Sequence, residues 1–145
     1  RLSQTELAGV LCERGIDSQG FGLILSKGDA ALFGGLTTQD MKGRLAVPDG
    51  RPLVDFLPTI TIKAKDFANE ITNTQVKQQD LQGEPGITQE HVKNNRDVRK
   101  LLTDRNIVPE KLPAAEDVKK LERRLESEAK KLPRQTTRLG SKAGK

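Results

Sequence analysis

Residues 26–45 read SKGDAALFGGLTTQDMKGRL, an apolar stretch closed by two glycines and followed at once by a helix start. Gly34 and Gly35 permit positive φ, which a side chain with a Cβ resists, so the chain can reverse sharply there. Thr37 is placed to cap a helix, and Asp40, three residues on, answers it as a capping box with its charge favourably near the helix N-terminus. Leu36 before the cap and Met41 just inside the helix are spaced for the hydrophobic staple that fixes the entry angle. Gly34, Gly35, Thr37 and Asp40 are therefore structural residues. None of them brings a nucleophile, a base or a ligand set.

Working outward, Ser3 with Glu6 reads as a capping box for a first helix, Leu2 with Leu7 as its staple, and Gly15 followed by Ile16 as its stop. Residues 20–25 and 30–33 are apolar runs around the turn-like Lys27–Asp29, which predicts one short N-terminal β-hairpin at most. After the helix at 38–45, Pro48, Gly50 and Pro52 mark a turn, and Pro52 opens a short helix ending before Pro58. Ile60, Ala64, Phe67, Ala68 and Ile71 recur at helical spacing over 60–79, which puts Lys63, Asp66, Glu70, Asn73 and Lys77 toward solvent. Gly83, Pro85 and Gly86 read as a connection, and Thr88 as the cap of a helix over 89–105. LTDRNI (102–107) echoes LCERGI (11–16), so two helices are expected to share one stop chemistry. Pro113 opens a last helix striped by Val118, Leu121, Leu125, Ala129 and Leu132, which Pro133 ends. The fold expected is mainly α, a compact multi-helix domain of five to six helices over 1–132, with a basic disordered tail over 133–145.

The 145 residues carry a net charge of +5, no Trp or Tyr, four Phe and one Cys, so the core is aliphatic and an intramolecular disulfide is excluded. No hydrophobic run approaches the roughly 20 residues of a membrane span, and with the lone Cys12 this fits a cytoplasmic chain with no membrane partner. Arg134, Arg138, Lys142 and Lys145 stand in a tail without acids and hold four of the five net positive charges. The rest of the chain is nearly neutral, so electrostatic binding of nucleic acid is expected at the tail first.

Candidate sites follow from these patterns. One His and one Cys allow no zinc spacing, and His91 is expected as a solvated helix residue. Asp40, Asp55, Asp66 and Glu70 each have a capping or solvent-facing role, so neither a metal nor another cofactor is expected, and no enzyme. Arg96, Arg99 and Lys100 make a weakly basic face for nucleic acid, diluted by Asp97 and Asp104. The helices at 38–45, 52–57 and 60–79 have the lengths of a helix-turn-helix DNA reader, but Asp66 and Glu70 share the recognition face with Lys63 and Lys77. Leu121, Leu125 and Leu132 can seat the last helix on its own domain or, as a homodimer, on a second copy.

Together with RPLVDFLPTITIKAKDFANEIT (51–72), residues 26–45 resemble the C-terminal region of the bacterial DNA-damage-inducible protein D family. Phe21–Leu25, the turn at Phe33–Gly35 and VPEKLPAAEDVKKLERRL (108–125) fall in family order, over roughly residues 13–132. The family's N-terminal domain, which looks like the viral BRO-type DNA-binding domain, has no counterpart in this sequence, so a domain-sized fragment is expected. The resemblance implies a role in the bacterial SOS response to DNA damage, restraining a RecA-type recombinase on single-stranded DNA through protein docking. A helix-turn-helix regulator, or an oligomerisation module of a larger DNA-binding protein, is the alternative.

Overall fold

The computed structural model describes residues 2–115 and 118–143, giving the backbone alone for 2, 118, 119 and 133–143. Six α-helices follow in order: α1 (Leu2–Glu13), α2 (Ser18–Leu32), α3 (Thr38–Arg44), α4 (Thr59–Gln79), α5 (Glu84–Thr103) and α6 (Val118–Ala143). Short 3₁₀ turns stand at Leu53–Phe56 and Pro109–Lys111. The chain forms two units, Arg1–Ala114 and Ala115–Lys145, dividing ahead of the boundary that the sequence suggests. The first holds α1–α5; the second is α6.

The expected hairpin is instead α2. Asp17 caps this helix, accepting from the Gly20 amide at 2.8 Å, and the turn-like Lys27–Asp29 lies in its middle. Its buried residues, Gly20, Ile24, Gly28 and Leu32, repeat every four positions and form a seam. Glycine inside a helix costs about 1 kcal/mol relative to alanine, so this composition reads locally as strand and turn. Packing reverses that preference, because α2 lies along α5 in the most extensive contact of the unit, and glycines in the seam permit the close approach.

Two further packings complete the first unit: α4 on α5, and α1 on α4. Leu7, Leu11, Ile24, Val76 and Ile87 are completely buried where α1, α2, α4 and α5 meet, or nearly so. Leu32, Ala64, Ala68 and Val98 make a second cluster along α2, α4 and α5. Phe33, Met41, Leu53 and Leu57 make a third, with Leu36 packed against it as the staple requires.

The cap of α3 matches its sequence. Thr37 Oγ1 accepts from the Asp40 amide at 3.1 Å, while Asp40 Oδ2 accepts from the Thr37 amide at 3.0 Å. That second bond holds the Asp40 carboxyl below the usual range, the Thr37 backbone amide being the larger cause. Gly34 and Gly35 have φ of 68° and 100°. The shared stop chemistry is also present: Ile16 N donates to Leu11 O at 3.0 Å and Ile107 N to Leu102 O at 2.9 Å, with φ of 79° at Gly15 and 64° at Asn106. Asparagine is among the few side-chain-bearing residues that enter the left-handed region readily. Helices α2, α3 and α4 end the same way, at Gly34, Ala46 and Asp80.

Elsewhere the boundaries differ from those expected. Ser3 caps nothing; it lies inside α1, donating to Asp66 Oδ1 at 2.9 Å and accepting from Asn69 Nδ2 at 3.3 Å. Helix α5 begins at Glu84, with Gly83 before it and Pro85 in its first turn, rather than at Thr88. Proline's fixed φ suits a first turn and Glu84 suits the dipole, so the apparent linker is the start of the helix. Pro52 precedes a 3₁₀ turn instead of opening a helix. On α4 the buried face is turned from the apolar stripe. Asn73 is buried, whereas Ile60 and Phe67 are 41% and 56% exposed. Helix α6 starts at Val118 and runs through Pro133 to Ala143, where a disordered tail is expected.

Candidate functional site

The seam between α2 and α5 is polar beneath and open above. At its centre His91, expected in solvent, is 1% exposed. Three helices enclose it. Gly28 of α2 approaches so closely that a Cβ there would lie 2.4 Å from His91 Cδ2. From α4, Thr72 Oγ1 stands 2.6 Å from His91 Nδ1, and Thr72 donates its own proton to Ala68 O at 3.1 Å. Asn94 Nδ2 also donates to Thr72 Oγ1, at 2.9 Å, and to Gln75 Oε1 at 2.8 Å.

With the Thr72 hydrogen committed to Ala68, His91 carries its proton on Nδ1 and donates to Thr72. Nε2 is then an acceptor facing Asn95 Nδ2 at 3.4 Å, and Asn95 Nδ2 also donates to the His91 carbonyl at 2.9 Å. Burial first, and the charge of Lys65 second, push the imidazole down to about 4. Lys65 in turn pairs with Asp29 at 3.3 Å; burial raises the Asp29 carboxyl, against the opposing pull of Lys65. The imidazole is thus neutral and engaged at both ring nitrogens, and the Thr72 hydroxyl beside it has its proton directed to the Ala68 carbonyl. The imidazole locks three helices together.

Above this layer a groove of about 440 Å³ opens between α2 and α5, lined by Lys27, Ala30, Ala31, Gly34, Gly35, Val92, Arg96 and Arg99. Arg99 is anchored: Nη1 donates to Leu32 O at 3.0 Å at the end of α2, and Nη1 and Nη2 fork onto the Glu110 carboxylate, Nη2 at 2.9 Å. That fork lowers the Glu110 carboxyl and raises the Arg99 guanidinium. Gly34 makes room for it, since a Cβ would stand 2.8 Å from Arg99 Nη2. Lys27 and Arg96 are exposed, and neither has a hydrogen bond or ion pair among the described residues.

The basic face expected from sequence is therefore divided. Arg96 and Arg99 share the groove, Arg99 as a clasp, and Lys100 pairs with Asp104 at 2.9 Å in an exposed position. Such a surface pair contributes at most about 1 kcal/mol. Lys27, missed in the sequence, joins them because residues 27, 30 and 31 share one face once α2 is a helix. The side chains of Arg134, Arg138, Lys142 and Lys145 lie outside the described residues. On α6, Leu121 is half-buried while Leu125 and Leu132 are 51% and 59% exposed.

The expected carboxylates stay apart. Asp40 caps α3, Asp55 pairs with Arg51 at 3.0 Å, Asp66 accepts from Ser3, and Glu70 is exposed. Among the described residues no group of three His, Cys, Asp or Glu side chains could hold a metal ion. The helix-turn-helix candidate is likewise not gathered into one reader. α3 packs mainly on α2 and the Leu53–Phe56 turn, whereas α4 packs on α5 and α1, with Asp66 engaged by α1.

The family model described as DinD C-terminal domain matches residues 2–121. No curated protein and no solved structure matches the chain.

Proposed function

Because the chain belongs to the DinD C-terminal domain family, we propose that it is a non-catalytic, cytoplasmic module of the bacterial DNA-damage response that docks on a RecA-type recombinase assembled on single-stranded DNA. Family membership points to a role connected with DNA damage. Docking, as opposed to direct reading of DNA, is supported by the use the first unit makes of its charges. Arg14 pairs with Asp80, Arg51 with Asp55, Lys65 with Asp29, Arg99 with Glu110 and Lys100 with Asp104. Phosphate contacts need unneutralised cations arrayed along a track, and these pairs take up Arg99 and Lys100 of the Arg96, Arg99 and Lys100 face expected to meet nucleic acid. Among the described residues no helix is long and apolar enough to cross a membrane.

Direct DNA affinity should accordingly be weak and carried by residues 133–145. Each phosphate neutralised adds roughly 0.7 to the log–log salt slope for single strands, so four tail cations account for about 3 at most. A salt titration with a single-stranded oligonucleotide, on the intact chain and on one ending at Leu132, checks this. Loss of most of the affinity in the shortened form is expected; tight, sequence-selective binding by that form would contradict docking and restore the helix-turn-helix reading.

A further inference from the structure

We infer that the α2–α5 groove is the docking site for an acidic, extended segment of a protein partner. The inference deepens the docking reading above and rests on it. Three cations and no carboxylate line the groove, and two of the cations, Lys27 and Arg96, have no hydrogen-bond or ion-pair partner among the described residues. Two free cations, one on each helix, select for carboxylates opposite them, and fixed cations also speed encounter with an acidic partner. Between them the floor is small and apolar, formed by Ala30, Ala31 and Val92, so it takes short aliphatic side chains alternating with the acids.

Length agrees with an extended segment. Lys27 to the end of α2 at Leu32 is a helical rise of about 7 Å, which two or three extended residues cover. A nucleic-acid strand fits less well, because single-strand sites stack bases on aromatic side chains and no aromatic residue lines the groove. Nor does α6 of a second copy suit it. Residues 118–132 carry six basic and three acidic side chains, the wrong net sign for this rim.

The test is fluorescence anisotropy with three labelled probes: a peptide about eight residues long of alternating Glu and Leu, its Gln-for-Glu counterpart, and oligothymidine of similar length. The Glu/Leu peptide should bind saturably and the Gln/Leu peptide should not. The double variant Lys27→Glu, Arg96→Glu should weaken binding by about tenfold or more, with thermal melting unchanged because both side chains are exposed. That variant should in turn gain affinity for a Lys/Leu peptide, a reversal that damage to the fold would not produce. Peptide binding that is absent, or indifferent to the double variant, overturns the inference. So does oligothymidine bound at the same residues more tightly than the peptide, which would make the groove a phosphate track. If the peptide results hold while the intact chain does not inhibit the recombinase, the groove stands and the recombinase reading falls.

Discussion

Replacing Gly28 by valine should unfold the first unit or leave it barely stable. The added Cβ would meet His91 Cδ2 at 2.4 Å, His91 Nε2 at 2.6 Å and Asn95 Nδ2 at 2.8 Å. These atoms are not the free ends of flexible side chains. Both residues are at most 2% exposed, and both are tied by hydrogen bonds to neighbouring groups. Overpacking a filled core typically costs about 1–3 kcal/mol. Displacing the imidazole also breaks its bond to Thr72 and strands buried polar atoms, for about 1–3 kcal/mol more. The sum, about 2–6 kcal/mol, is a large part of a total stability of about 5–15 kcal/mol. Gly22 is the control: nothing lies within 4 Å of its added Cβ, and Gly22→Ala should gain about 0.5–1 kcal/mol from helix propensity alone. Denaturant midpoints measure both. A Gly28 variant that unfolds at the parent midpoint would mean that α2 and α5 do not pack through this seam.

Mild acid should destabilise the protein through His91. Its pKa is lowered from the ordinary 6.5 to about 4, first by burial and then by Lys65, so the unfolded chain takes up the proton more readily than the folded one. Stability is therefore retained in full above the unfolded value and falls as pH drops from about 6.5 toward 4, by roughly 2 kcal/mol at about pH 5. Asp29 acts in the opposite sense. Its raised carboxyl favours the folded state once protonated, and this offsets part of the loss at the acid end. His91→Gln should be less stable than the parent at neutral pH but should lose the dependence between about pH 7 and 5. Denaturation at both pH values decides; a flat parent profile, or an unchanged slope in His91→Gln, would contradict the buried neutral imidazole.

What could be read from the sequence was local, and what could not be read was set by distant partners. The Thr37–Asp40 cap and the stops at Gly15 and Asn106 are each complete within six residues, so their letters determine their geometry. His91 is different, since its burial depends on Thr72 in α4 and Gly28 in α2, and nothing adjacent to it in the chain reports either. The glycines of α2 signal a turn by composition but serve an interhelical approach. Helix α4 buries Thr72, Asn69 and Asn73, polar residues that a hydrophobic stripe cannot reveal and that hydrogen bonds in part accommodate. The same limit applied to the candidate site. Charge counting found Arg96 and Arg99, yet the pairing of Arg99 with Glu110 and the arrival of Lys27 both required the helices to be placed.

The docking account is tested most directly by strand exchange driven by a RecA-type recombinase on single-stranded DNA, titrated with the intact chain and with the chain ending at Leu132. Inhibition at similar concentrations of both forms is the expected result, because the proposed docking surface lies in α2 and α5, even though the shortened form should lose most of its affinity for bare DNA. Inhibition that disappears with residues 133–145, in step with the lost DNA affinity, would show that the chain acts by covering the strand and would contradict docking.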